Sequence, residues 1–271
     1  MLSYIGGKSR ISSFIKQYIP NDIETYAEPF SGMFWVYFKM ELSNYPHLKN
    51  IIYNDFNPLN ANLFNCVRDS IVFANMINGV ESQQESLFYK YQSEIFHPDF
   101  KVDLSNPDYD AAIKYAYVLS QVWSGTNPER AKFIDLKGKY TSKFDSFKNK
   151  LNSLKWTEYF NRISHIENLD FQKLIEKYDS PKSYFYCDPP YYKTEDYYAN
   201  HDFGIETHKR LADTLKAMQG RFSLSYYYFD ELEEWFPKDQ YRWESKEFAK
   251  AAMAKAGKLQ TKGTELLIMN Y

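Results

Sequence analysis

The stretch Asn50–Phe64, NIIYNDFNPLNANLF, predicts a strand, a turn and a helix in immediate succession. The run Ile51–Asn54 is followed directly by Asp55, and short apolar runs bounded by turn residues are typical of strands. Asn57 can cap the following helix, and Pro58 suits a first helical position, where a backbone N–H has no partner within the helix. We therefore expect a strand that ends at Asp55 and a helix that starts at Pro58.

The preceding stretch, IETYAEPFSGMFWVYFKMEL, repeats this order with a strand near Thr25–Ala27, a turn at Pro29–Gly32 and then a helix. Strand signals return late in the chain in KSYFYC, GRFSLSYYY and ELLIMNY, with the helix HKRLADTLKAM between the first two. Strands that alternate with helices predict a parallel α/β sheet. Residues 61–125 look mostly helical, so we interpret the middle of the chain as an insertion between two parts of one sheet.

Composition predicts an ordinary globular protein of 271 residues, of which 44% are apolar. No apolar run approaches the roughly 18 to 20 residues that span a bilayer, and the start of the chain lacks the apolar stretch of a secretory signal. Cys66 and Cys187 are too few for a disulfide framework, and neither has the spacing of a metal ligand. We expect a soluble protein of the cytoplasm with reduced thiols, no membrane segment and no metal.

Charge is distributed unevenly along the chain. The formal net charge is −2, but residues 129–162 contain nine basic and four acidic residues, a balance of +5 against −7 elsewhere. A solvated surface is one interpretation of such a run, and a site for a polyanion is the other.

Two common nucleotide-binding patterns are absent from the N-terminal region. GGKS at Gly6–Ser9 resembles the end of a phosphate-binding loop, but position 2 is Leu where that pattern requires glycine. EPFSGMFW lacks the G-x-G-x-x-G of a dinucleotide site. Neither a nucleoside triphosphatase nor a nicotinamide-dependent enzyme is supported.

Asp55 lies 23 residues beyond Gly32, at the end of the second predicted strand. Ligands of open α/β sheets bind at the carboxyl ends of strands, and an acid about 20 residues past a glycine turn suits a ribose diol. Asp55 could equally well begin the NDFNP turn, since Asp and Asn favour such places. Both interpretations remain open from these residues alone.

The stretch Tyr184–Tyr192, YFYCDPPYY, holds an acid in front of two prolines. Each proline favours an extended residue before it, so the carbonyls of Asp188 and Pro189 can remain free as acceptors. A carboxylate beside such a carbonyl can accept both hydrogens of one amino group, which leaves the nitrogen lone pair able to attack a methyl sulfonium. Tyr191 can stack a base, a contact worth roughly 1 to 3 kcal/mol, once that base is flipped out of a duplex. A rigid turn with core tyrosines is the alternative.

Taken together, these motifs resemble those of the Dam-type DNA adenine-N6 methyltransferases, in the same order and over about half the chain. The similar segments are YIGGK, AEPFSG, YNDFNPLNANLFN, NLDF, FYCDPPYY, FSLSYYYFDELEEWF and KGTELLIMNY. One position departs from the family pattern: Phe34 stands where a second glycine is usual, so backbone contacts to the cofactor near Met33 and Phe34 are in question.

The resemblance implies a Rossmann-like methyltransferase sheet, mostly parallel with one antiparallel strand near the C-terminus. It also implies S-adenosylmethionine as cofactor and double-stranded DNA as substrate, and it leaves open a cognate restriction endonuclease as partner. The catalytic domain would comprise residues 1–56 and 163–271, and residues 57–162 would be an inserted, mainly helical target-recognition domain. The recognition sequence and the oligomeric state are not readable from the sequence.

The resemblance also assigns roles to individual residues. Tyr4 and Lys8 would line the methionine end of the cofactor, Glu28 and Phe30 the turn beneath it, and Asp55 the ribose. Asp170 and Phe171 would bind the adenine ring of the cofactor. Asp188 would contact both the cofactor and the target amino group, within a catalytic motif completed by Pro189, Pro190 and Tyr191.

The resemblance implies that the basic run, residues 129–162, binds DNA. AKFIDLKGKYTSKF predicts a β-hairpin with Lys137–Lys139 at its tip, suited to entering a DNA groove. Arg130, Lys137, Lys139 and Lys143 are the predicted DNA contacts, although the sequence does not separate phosphate contacts from base contacts.

Two other functions remain as alternatives. A methyltransferase for RNA or for a protein amide could use a similar motif, but an amide enzyme is expected to carry NPPY instead of DPPY. The second alternative is a DNA-binding relative without catalytic activity. The intact Asp55 and Asp188 argue against it, whereas Phe34 in place of the usual glycine keeps it as an alternative.

Overall fold

A seven-stranded sheet with helices on both faces forms the centre of the protein. The structure is a computed structural model and describes residues 2, 8, 11–122, 127–192, 203–249 and 262–271. The strands are β1 (Thr25–Glu28), β2 (Asn50–Asn54), β3 (His165–Glu167), β4 (Ser183–Cys187), β5 (Arg221–Tyr226), β6 (Arg242–Ala249) and β7 (Lys262–Met269).

The spatial order of the strands is β3-β2-β1-β4-β5-β7-β6. All pairs among β1 to β5 are parallel, while β7 runs antiparallel to both β5 and β6. The expected α/β class, with a mostly parallel sheet and one antiparallel strand near the C-terminus, is therefore confirmed. Strands β2 and β3 are neighbours although residues 55–164 separate them, so the middle of the chain is an insertion.

Ten α-helices lie within the described residues: α1 (Ser12–Ile15), α2 (Pro58–Arg68), α3 (Ser70–Ile77), α4 (Glu85–Ile95), α5 (Tyr109–Ser120), α6 (Lys143–Leu151), α7 (Leu154–Asn161), α8 (Phe171–Tyr178), α9 (Ile205–Ala217) and α10 (Glu231–Trp235). Short 3-10 turns occur at Lys16–Tyr18, Tyr37–Lys39, Leu42–Asn44 and Pro128–Arg130. Among the described residues, no helix combines the length and apolar character needed to cross a membrane.

Local signals explain the start of α2. The Asn57 side chain accepts a hydrogen bond from the Leu59 N–H at 3.0 Å, and Pro58 occupies the first helical position, as predicted. The helix predicted after β1 is wrong, because the segment between β1 and β2 contains only the 3-10 turns Tyr37–Lys39 and Leu42–Asn44. The chain reaches the first of these turns through Phe34 at φ 55°, a left-handed conformation that a continuous helix does not allow.

The β-hairpin predicted around Lys137–Lys139 is also wrong, because residues 131–142 contain no strand. They form a loop whose tip is a turn at Lys137 and Gly138, both with positive φ. Glutamine side chains from the helical insertion take the place of cross-strand partners. Gln83 accepts from Leu136 N, Gln121 accepts from Ile134 N, and Gln92 donates to the carbonyl of Ala131.

The core divides between the two faces of the sheet. One cluster lies mainly between β4, β5, α8 and α9 and includes Phe185, Leu211 and Phe222. The other joins Tyr26 and Tyr53 on the sheet to the inserted helices, so the insertion packs directly on the sheet and shares its core. Residues 57–162 therefore occupy one face of the same molecule, and their role as a target-recognition domain remains a prediction.

Phe34 combines a left-handed backbone with a fully buried ring. The ring lies 4.6 Å from that of Tyr37 and 5.3 Å from that of Tyr53, measured between centroids. For a non-glycine residue the left-handed region costs roughly 1 to 2 kcal/mol, whereas truncating a buried Phe costs about 3 to 5 kcal/mol. Packing of the ring outweighs the backbone strain.

We expect Phe34→Gly to lower the free energy of unfolding by about 2 kcal/mol, because the lost packing exceeds the relieved strain. Phe34→Ala loses similar packing and keeps the strain, so it should be the more destabilised variant. Urea unfolding of the three proteins measures both differences. If Phe34→Gly is the less stable of the two variants, the strain assigned to this position is absent.

Candidate active site

Acidic side chains collect at the carboxyl ends of the parallel strands. Glu28 is the last residue of β1, Asp55 and Asp188 directly follow β2 and β4, and Asp170 lies three residues beyond β3. Open α/β sheets bind their ligands at this edge. The strand order places β1 between β2 and β4, so residues from distant parts of the chain come together.

Asp188 lies in a group of four polar side chains. Lys8 Nζ is 2.7 Å from Asp188 Oδ1 and 3.4 Å from Oε1 of Glu265. The same ammonium lies 4.5 Å from the centroid of the Tyr191 ring, and the Tyr191 hydroxyl donates a hydrogen bond to Glu265. Pro189 and Pro190 are buried beside them. The predicted catalytic motif and the predicted cofactor residue Lys8 are therefore in direct contact.

The site is largely removed from water, which changes the acidity of its groups. The Asp188 side chain is only 16% exposed. Burial raises the pKa of Asp188 to about 6 against the opposing effect of Lys8, and Glu265 raises it further. Burial also raises the pKa of Tyr191 well above its usual value, so its hydroxyl remains a donor. Asp188 is thus an ionised acceptor at neutral pH that can also take up a proton.

Asp55 joins the two turns that begin the site. Its carboxylate accepts from the Gly32 N–H at 2.8 Å and from the Asn57 N–H at 2.9 Å. Burial raises the pKa of Asp55 to about 6, while these two backbone donors oppose the shift. Asp55 therefore does begin the NDFNP turn, and each carboxylate oxygen keeps acceptor capacity for a ligand.

Glu28 is used inside the protein. Its Oε1 accepts from the Tyr26 hydroxyl at 2.6 Å and from the Tyr37 N–H at 3.2 Å. Burial raises the pKa of Glu28 well above its usual value. These contacts link the end of β1 to the backbone at Tyr37 and so hold the turn after β1 in place. The predicted contribution of Glu28 to cofactor binding would therefore be made through this turn.

Three aromatic rings form a cluster at the ends of β1 and β3. The centroid of Phe30 lies 5.6 Å from that of Phe171 and 5.7 Å from that of Phe203. The Arg210 guanidinium lies 4.1 Å from the Phe171 ring centroid and forms two hydrogen bonds of 2.8 Å with the Asp170 carboxylate. This ion pair holds the pKa of Asp170 below its usual value, and Asp170 also caps α8.

Sequence reasoning missed Glu265, Arg210 and Phe203. Glu265 had a usable signal, because an acid inside the apolar strand ELLIM is unusual for a strand interior. Arg210 and Phe203 gave no such signal, since a charged residue on a surface helix and a single Phe are both common. Tyr4, predicted at the methionine end of the cofactor, lies outside the described residues.

The predicted DNA contacts differ in exposure. Arg130, Lys137 and Lys139 are exposed on or beside the loop 131–142. Lys143 instead donates from Nζ to the carbonyl of Val122 at 2.6 Å, and burial lowers the pKa of its ammonium. Lys143 therefore serves an internal contact at the start of α6, and the exposed candidates are the other three.

The donor set fits S-adenosylmethionine. Its sulfonium is a cation, and the carboxylates of Asp55 and Asp188 outnumber the single ammonium of Lys8 within the described part of the site. The aromatic cluster of Phe30, Phe171 and Phe203 offers faces for an adenine ring. Asp55 follows β2, which lies between β3 and β1 in the sheet, so its carboxylate is placed between Phe171 and Asp188 along the strand edge.

Comparison with known proteins gives two matches. Residues 4–251 match the family described as D12 class N6 adenine-specific DNA methyltransferase. The chain is also similar to the DNA adenine methylase of Haemophilus influenzae, with 24% identity over 238 residues, which cover 83% of this chain and 76% of that protein. The family match covers strands β1 to β6 and ends before Glu265.

Proposed function

Because the chain belongs to the D12 class of N6 adenine-specific DNA methyltransferases, we propose that it methylates the exocyclic amino group of adenine in double-stranded DNA, with S-adenosylmethionine as methyl donor. The observation that carries this proposal is the contact of Asp188, Lys8 and Tyr191 at the carboxyl end of β4. It combines a buried acceptor for an amino group with an aromatic face for a base. The target base has to leave the duplex to reach this site.

In the proposed reaction, Asp188 accepts a hydrogen bond from the target amino group and positions its nitrogen. When bound, the cofactor would supply the methyl group from its sulfonium to the nitrogen lone pair and would leave as a neutral thioether. The methylated nitrogen then carries an excess proton. Asp188, whose pKa is raised to about 6, can take up that proton and pass it to water.

Other residues bind and orient the two substrates in this proposal. Asp55 accepts from the ribose hydroxyls, and Phe30 and Phe171 hold the adenine of the cofactor, with the Arg210 guanidinium packed against the Phe171 ring. Tyr191 stacks on the flipped base while Glu265 holds its hydroxyl. Tyr4, Lys8 and Glu28 remain proposed for the methionine end of the cofactor.

Residues 57–162 are proposed to recognise the DNA, with the loop 131–142 as the part that approaches it. Arg130, Lys137 and Lys139 give this exposed loop region a positive charge in an otherwise acidic chain. Cellular DNA as substrate would place the enzyme in the cytoplasm. A cognate restriction endonuclease that acts on the same DNA sequence is the proposed protein partner.

The central test is Asp188→Ala. We expect this variant to bind labelled S-adenosylmethionine but to transfer no measurable methyl group to unmethylated genomic DNA, because the amino group has lost its acceptor. The wild-type rate should fall as the pH is lowered through about 6, where Asp188 takes up a proton. Asp213→Asn, an exposed acid on α9, is the control and should be fully active. Wild-type methylation by folded Asp188→Ala would exclude the mechanism.

Ribose binding is tested with Asp55→Asn. Hydrogen bonds to charged groups contribute roughly 1.5 to 3 kcal/mol, so cofactor affinity measured by calorimetry should fall about tenfold or more. A cofactor analogue without the two ribose hydroxyls should bind the wild type and the variant equally. A similar loss for both ligands would show that Asp55 acts only through the turn it shares with Gly32 and Asn57.

DNA binding by the loop is tested with Arg130, Lys137 and Lys139 replaced together by Ala. The dependence of log affinity on log salt should become less steep, by up to about 0.9 for each DNA phosphate that the variant no longer neutralises. Cofactor affinity should not change. The control removes three other exposed lysines, Lys49, Lys182 and Lys216, which lie near the amino ends of the strands, away from the site. Equal salt dependence in wild type and loop variant would show that the basic run is a solvated surface that does not contact DNA.

A further inference from the structure

Glu265 is a buried carboxylate on the one described strand that runs against the parallel direction. It directly precedes Leu266, which pairs with Tyr226, the last residue of β5. Because β7 is antiparallel, it begins at the edge where the parallel strands end. The Glu265 side chain is only 2% exposed, and a buried carboxylate is costly unless it is paired.

Lys8 lies between two carboxylates and is closer to one of them. Its Nζ is 2.7 Å from Asp188 and 3.4 Å from Glu265. It also lies over the Tyr191 ring, 4.5 Å from the centroid. The ammonium therefore makes the two contacts that the proposed function assigns to the target adenine, a hydrogen bond to Asp188 and a place against the Tyr191 face.

A target amino group that binds Asp188 Oδ1 while its base lies on the Tyr191 ring takes the position of the Lys8 ammonium, so Lys8 has to give up that position. A buried ammonium that leaves one carboxylate without gaining another is strongly unfavourable. Glu265 lies 3.4 Å away, so rotation within the flexible Lys8 side chain can exchange one ion pair for the other without movement of the sheet.

We propose that Glu265 is a positioning residue that takes over the Lys8 ammonium when the target amino group binds Asp188. The inference rests on the proposed function. Glu265 acts through Lys8 and also holds the Tyr191 ring through its hydroxyl, so the base-stacking face stays in place while Lys8 moves.

Glu265→Gln separates these two contacts. The amide has the same shape and can still accept from the Tyr191 hydroxyl, but it carries no charge for Lys8. We expect kcat for methyl transfer to genomic DNA to fall about tenfold or more, with cofactor affinity changed less than about threefold. Glu244→Gln on β6, whose carboxylate pairs with exposed Arg242, is the matched control and should keep wild-type activity.

A double-mutant cycle with Lys8→Met distinguishes positioning from general structural support. At saturating cofactor, Glu265→Gln should change kcat less than about threefold in the Lys8→Met background, because the group it receives is gone. An equal loss in both backgrounds would overturn the proposal, as would wild-type kcat in the single variant.

Glu265→Asp provides the conservative comparison, since it keeps the charge one methylene further away. It should retain a higher kcat than Glu265→Gln, and equal losses would mean that only the packing of Glu265 matters. If Glu265→Gln does not fold, Glu265→Asp is compared in both Lys8 backgrounds, where the same coupling is expected. Inactive Asp188→Ala together with fully active Glu265→Gln would reject this inference alone, whereas active Asp188→Ala would reject the proposed function.

Discussion

The ion pair between Lys8 and Asp188 compensates part of the free-energy cost of burying carboxylates, and the same cost governs the rest of the site. A carboxylate withdrawn from water is expensive unless an opposite charge or hydrogen-bond donors compensate it. Here several carboxyls are withdrawn together at one sheet edge, and the described site offsets them with one ammonium, the hydroxyls of Tyr26 and Tyr191 and a few backbone N–H groups. The remaining negative potential favours a cation. The sulfonium of the proposed methyl donor would offset part of that cost.

This edge exists because of strand order. The order itself was not predicted, but several of the strands that form it were. The first two strands and α2 were predicted within a residue or so, since an apolar run, Asn57 as cap and Pro58 at the first position are local signals. Strands β4, β5 and β7 and helix α9 were predictable for the same reason, whereas β3 and β6 were missed. The antiparallel direction of β7 was not contained in its residues and came from family resemblance, because strand direction depends on connections and not on local propensity.

The failures share a physical cause, which is that the deciding contacts lie far apart in the chain. The loop 131–142 has the turn chemistry of a hairpin, yet Gln83 and Gln121 supply the partners of its backbone. The candidate site follows the same rule. Asp55 and Asp188 follow strands directly and were recognisable, whereas Glu265 acquires its meaning only when antiparallel β7 brings it to Tyr191 and Lys8.

Phe34 stands where a second glycine is usual in the similar methyltransferases, and its own backbone is left-handed, a conformation that favours glycine. A glycine there would be explained by the left-handed φ, and Phe34 adopts that same φ at 55°. Its ring turns into the cluster behind the glycine turn and lies against Tyr37 and Tyr53. The turn itself is fixed from the other side by Asp55, which accepts from the Gly32 N–H. The Phe34 ring is buried in the core beneath the turn, whereas the Asp55 carboxylate lies at the strand edge, so the ring itself does not occupy that edge.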